Sequence, residues 1–63
     1  LAPREMEVLA LIAKGYTIPK VAELLGIAPS TGASYVRDIY RKLDISSRAE
    51  ATLEAARLGL VNP

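Results

Sequence analysis

The chain has 63 residues, 51% of them apolar, no Cys, His, Trp or Phe, and a net charge of +1. That leaves room for one small domain, at a size where roughly 60% of the unfolded surface can be buried, and excludes a disulfide framework or a metal site built on Cys or His. No apolar run reaches the length of a membrane span and Leu1-Ala2-Pro3-Arg4-Glu5 lacks a signal-like core, so a cytoplasmic location away from membranes is expected; the missing initiator Met suggests a domain cut from a longer protein.

Charge is uneven along the chain. Arg4, Lys14 and Lys20 balance Glu5, Glu7 and Glu23 before residue 30, whereas residues 30–43 carry Arg37, Arg41 and Lys42 against Asp38 alone. The positive excess therefore falls within a single segment.

In chain order, the first predicted helix runs from Pro3, a favoured first helical residue, to Lys14, with Gly15 as its stop. Met6, Leu9, Ile12 and Ala13, widened by Val8 and Leu11, form its apolar stripe. Thr17 caps a short second helix whose first turn admits Pro19 and which carries Val21, Ala22, Leu24 and Leu25 before Gly26. Gly26-Ile27-Ala28 is then a three-residue turn of the kind that joins a helix-turn-helix. Pro29 opens a third helix that extends to about Leu43. Ser47 and Glu50 form a capping box for a fourth, which ends near Leu58 at Gly59, with Leu60 and Val61 placed to fold back on it. No strand-like alternation, repeat or interior linker intervenes, so the reading is an all-α, four-helix domain spanning residues 1–63.

The third helix has two distinct sides. At 100° per residue, Val36, Ile39, Tyr40 and Leu43 gather on one and Ser30, Ser34, Arg37 and Arg41 on the other, with Ala33 at its border. Small residues followed by Arg one and two turns on allow close approach to a groove, where guanidinium forks reach base edges or phosphates. Lys42 and Tyr35 flank this side and suit phosphates, as does Lys20 beside the start of helix two. Each has a plainer explanation: two Arg one turn apart and a lone Lys are commonly just solvated, Tyr40 belongs to the core, and Tyr35 fits packing as well as phosphate contact.

Leu1-Ala2-Pro3-Arg4-Glu5-Met6-Glu7-Val8-Leu9, Val21-Ala22-Glu23-Leu24-Leu25-Gly26-Ile27, Ile39-Tyr40-Arg41-Lys42-Leu43 and Ser47-Arg48-Ala49-Glu50-Ala51, with Leu58-Gly59-Leu60-Val61, together resemble the C-terminal DNA-binding domain of LuxR/GerE-type regulators, the output domain of quorum-sensing regulators and of two-component response regulators of the NarL type. The resemblance covers nearly the whole chain. It implies that helix three enters the major groove of double-stranded DNA and that helix four supports a homodimer. Base contacts would fall near Ala33, Ser34 and Arg37, and backbone contacts near Thr17, Thr31, Arg41 and Lys42. RNA polymerase is a further partner for a transcription regulator of this kind.

The chain also departs from the family pattern. Ala2 and Ala28 stand where Thr or Ser usually caps a helix, each lost cap costing ~1 kcal/mol. Ile18-Pro19 replaces an Asn-Lys pair, Thr31-Gly32-Ala33 replaces Thr-Val-Lys, and Tyr35 replaces His. Glycine in a helix interior costs roughly 0.8–1 kcal/mol against Ala.

These features leave three readings: a DNA-binding output domain of a bacterial transcription regulator, a promoter-recognition module like sigma-factor region four, and a helix-turn-helix turned to protein interaction. Scattered acids without His, Cys or a glycine-rich phosphate loop offer no catalytic constellation, so neither an enzyme nor a cofactor is expected. On helix four, Ala49, Leu53, Ala56 and Leu60 make one apolar stripe and Ala51, Ala55 and Leu58 another; the second is assigned to dimerisation, with a single wide core face as the alternative.

Overall fold

Each helix begins where the sequence supplies a start and stops on or beside a residue of positive φ. The computed structural model describes residues 1–62 and contains α1 (Pro3–Ala13), α2 (Ile18–Leu25), α3 (Pro29–Leu43) and α4 (Arg48–Arg57). Lys14 and Leu58 cap their helices rather than extend them. Gly26, at φ 68°, lets the Ile27 N–H donate to the Ala22 carbonyl at 3.0 Å, and the chain reverses into α3 within three residues. Asp44 takes the same left-handed conformation, at φ 55°, behind α3.

The helix starts differ in quality. Thr17 Oγ1 accepts from the Lys20 N–H and Ser47 Oγ from the Glu50 N–H. Glu50 reaches back to the Ser46 N–H at 2.8 Å, one residue earlier than a standard box requires. Ala2 and Ala28 give α1 and α3 no side-chain cap, although Glu5 Oε1 accepts from the Ala2 N–H at 2.8 Å and supplies half of a box.

The core forms around α1. Val8, Leu9 and Ile12 are buried against Val21 of α2, Ile39 of α3 and Ala51 and Ala55 of α4, with Val36, Tyr40, Leu43, Leu60 and Val61 packed at the margins. Full burial of each larger aliphatic stabilises by about 1.5–3 kcal/mol before ordering costs. α1 touches the other three helices, α2 lies along α3, and α4 leans chiefly on α1. No helix among the described residues is long and apolar enough to cross a membrane.

This packing takes Ala51 and Ala55, the residues assigned from the sequence to a partner interface, into the core. Both are fully buried, because their small side chains let α4 approach α1 closely, while Leu53 is turned outward at 70% exposure. Leu58, the third residue of that assignment, remains exposed. Arg48 fastens the helix in place: its Nη1 donates to the carbonyls of Ile12 and Tyr16, both at 2.9 Å, pinning the start of α4 to the end of α1.

Candidate nucleic-acid interface

Burial of Ile39, with Val36, Tyr40 and Leu43 packed around it, orients α3 and forces the opposite side outward. Ser30, Thr31, Ser34, Arg37 and Arg41 are all exposed there, and Ala33 sits half-buried at the edge. The short α2, the turn at 26–28 and the longer α3 thus present a row of small hydroxyl residues followed by two guanidinium groups.

The cations near this face have different surroundings. Lys20 faces Glu23 at 3.5 Å and Arg41 faces Asp38 at 3.3 Å, each pair three residues apart on one helix. Such exposed pairs contribute little and exchange readily for another anion. Among the described residues, Arg37 is the one cation of α2 and α3 with no ion-pair partner.

Lys42 has a role that the sequence reading did not assign. Its Nζ lies 3.0 and 2.9 Å from the two carboxylate oxygens of Glu5, joining the end of α3 to the start of α1. The Glu5 side chain is only 6% exposed, while that of Lys42 is 49% exposed. The hydrogen bond from Lys42, and then that from the Ala2 N–H, hold the Glu5 carboxyl below its ordinary pKa, more than offsetting its desolvation. Thr17, also expected at a phosphate, has its oxygen engaged in capping α2. Tyr35 is half-buried, its side chain partly packed against the core and partly open to solvent. Sequence reasoning missed Glu5 and Arg48 as braces between helices: Glu5 has a signal in its third-position spacing from Ala2, but Arg48 acts on backbone carbonyls, which leave no mark in side-chain patterns.

An all-α chain whose short helix, tight turn and longer, polar-faced helix are braced by a first helix defines a helix-turn-helix module. The family model for bacterial regulatory proteins of the luxR family (GerE) matches residues 1–55. The chain is 47% identical over 62 residues to the probable transcriptional regulatory protein NarL of Mycobacterium tuberculosis, which covers 98% of this chain and 29% of that protein. It is 44% identical over 59 residues to the HTH-type transcriptional activator RamA of Corynebacterium glutamicum (94% of this chain, 21% of RamA), and 40% identical over 58 residues to the HTH-type transcriptional regulator MalT of Yersinia pestis (92% and 6%). No solved structure matches the chain significantly. The chain therefore belongs to the LuxR family of bacterial regulatory proteins and is a DNA-binding domain of the transcription-regulator class. It spans less than a third of the length of each of these relatives.

Proposed function

We propose that residues 1–63 form one domain, the DNA-reading output unit of a longer cytoplasmic transcription regulator, and that α3 enters the major groove. The observation that carries this reading is the exposed, unpaired guanidinium of Arg37, set one turn beyond Ser34 on the face opposite the core. Arg37, with Ser34 and Ala33 making close approach possible, reads base edges. Ser30, Thr31, Thr17, Lys20, Tyr35, Arg41 and Lys42 surround it as backbone-positioning groups, with Lys20 and Arg41 exchanging carboxylate partners for phosphates and Lys42, half-exposed, reaching a phosphate while it stays on Glu5.

Two such domains bind two half-sites as a homodimer. With Ala51 and Ala55 buried, the partner face of this reading is the outer side of α4, where Leu53 is exposed beside Ala49, one turn back, and Leu58 stands exposed at the end. RNA polymerase is a partner of the assembled regulator. Family membership favours this reading over a sigma-factor module. The protein-interaction reading draws its support from the same ion pairs, which neutralise most of the positive face.

Selection of bound sequences from a random DNA pool by the 63-residue chain, followed by a salt series on the winner, tests the proposal. A paired motif is expected, with log affinity falling against log salt at a slope of roughly −2.7 to −3.6 per chain if three or four phosphates are neutralised. No enrichment at low salt would favour the protein-interaction reading instead.

A further inference from the structure

Two residues distant in sequence, Ile18 and Gly32, meet in space. Ile18 opens α2 and Gly32 lies early in α3, buried where the two helices touch. A Cβ built on Gly32 would lie 3.4 Å from the Ala22 Cβ, 3.6 Å from the Ile18 Cγ2 and 3.7 Å from the Ile18 carbonyl oxygen. One methyl would therefore fit at ordinary contact distance, and a side chain branching beyond Cβ would add atoms to a contact that Ala22 and Ile18 already close. Gly15, Gly26 and Gly59 adopt positive φ and face open space; Gly32 is helical, so no backbone requirement explains it. What the site limits is therefore bulk beyond a methyl, on the side of α3 that meets Ile18 and Ala22.

We propose that Gly32 and Ile18 are a matched pair that sets how closely α3 lies on α2, and thereby the depth and angle at which the exposed face of α3 meets DNA. They are positioning residues, and no DNA contact is assigned to either. This rests on the DNA-reading function proposed above. Small residues at a crossing let two helix axes approach, and the axis of α3 carries Ser34 and Arg37 with it. A shift of this kind changes which base edges a side chain can reach without removing any cation.

The test compares the parent 63-residue chain with Gly32→Val, Ile18→Ala and the double variant. Two quantities are read: the urea midpoint, and the ratio of affinities for the duplex selected by the parent and for the same duplex with its site scrambled, at matched salt. Gly32→Val is expected to lower the midpoint and reduce the ratio about fivefold or more. Adding Ile18→Ala should restore the ratio to within about twofold and recover part of the midpoint, a non-additive result. A lower midpoint with an unchanged ratio, or strictly additive midpoints, overturns the pairing. If Gly32→Val does not fold, the double variant decides: folded with the parental ratio it supports the pair, and otherwise it overturns it. A parent that enriches no sequence overturns the DNA reading and the positioning role with it, whereas a selective parent with an equally selective Gly32→Val overturns the pair alone.

Discussion

Arg37 and Arg41 stand one turn apart on α3 but differ in their surroundings, and the difference predicts different losses. Arg37 has no competing carboxylate among the described residues, whereas Arg41 sits 3.3 Å from Asp38. Arg37→Ala is expected to cost ~1–3 kcal/mol on the selected site and to relax base preference there; Arg41→Ala should weaken all sequences alike and reduce the salt slope by about 1. Competition binding across base-substituted duplexes separates the two. Glu5 is a second informative residue. Its carboxyl titrates below the ordinary value in the folded chain, so its contribution to stability is complete above the usual carboxylate range and is lost as pH falls through the depressed folded value. Glu5→Gln should therefore be less stable than the parent near neutral pH, and the gap in urea midpoint should narrow on acidification. A gap independent of pH would mean that packing, not charge, is what the substitution removes.

At the scale of helices, local chemistry is written locally and could be read. Pro3, Thr17, Pro29 and Ser47 mark the starts and Gly15, Gly26 and Gly59 the stops, and the observed boundaries fall within two residues of those signals. The two alanine N-caps are also legible, and they predict a gain: Ala28→Ser, whose side chain could accept from the Thr31 N–H, should raise stability by about 0.5–2 kcal/mol. Ala2→Thr should do the same for α1 by completing the box that Glu5 half supplies. Urea unfolding of each variant measures it. Orientation was harder to read than position. α4 carries two apolar stripes of similar hydropathy, and only the close approach of α1, which favours Ala51 and Ala55 over Leu53, decides which is buried. The Glu5–Lys42 pair joins residues 37 positions apart, and neither has a sequence neighbour that announces the other.

For the whole molecule, the division between core face and outer face of α4 predicts opposite outcomes for two acidic substitutions. Ala51→Glu would bury a carboxylate at the α1–α4 contact and should unfold the domain, at a cost of several kcal/mol or roughly the whole stability of so small a chain. Leu53→Glu, on the exposed side, should leave the urea midpoint nearly unchanged while abolishing cooperative binding to a duplex with two half-sites. Sedimentation on and off that duplex distinguishes loss of dimer from loss of fold. The candidate face of α3 was visible in the sequence as a pattern of charge and small residues; its bracing was not, because it depends on contacts between α1 and distant helices.

Arg48 grips the carbonyls at one end of α1 and Lys42 grips Glu5 at the other, so α3 and α4 are both mounted on a common strut. In the proposed dimer, the separation between the two reading helices is then a length built into α1 and its end fastenings. A pair of such domains is a ruler as well as a reader. It should accept one spacing between half-sites and reject a duplex with one extra base pair, even when every base it touches is correct.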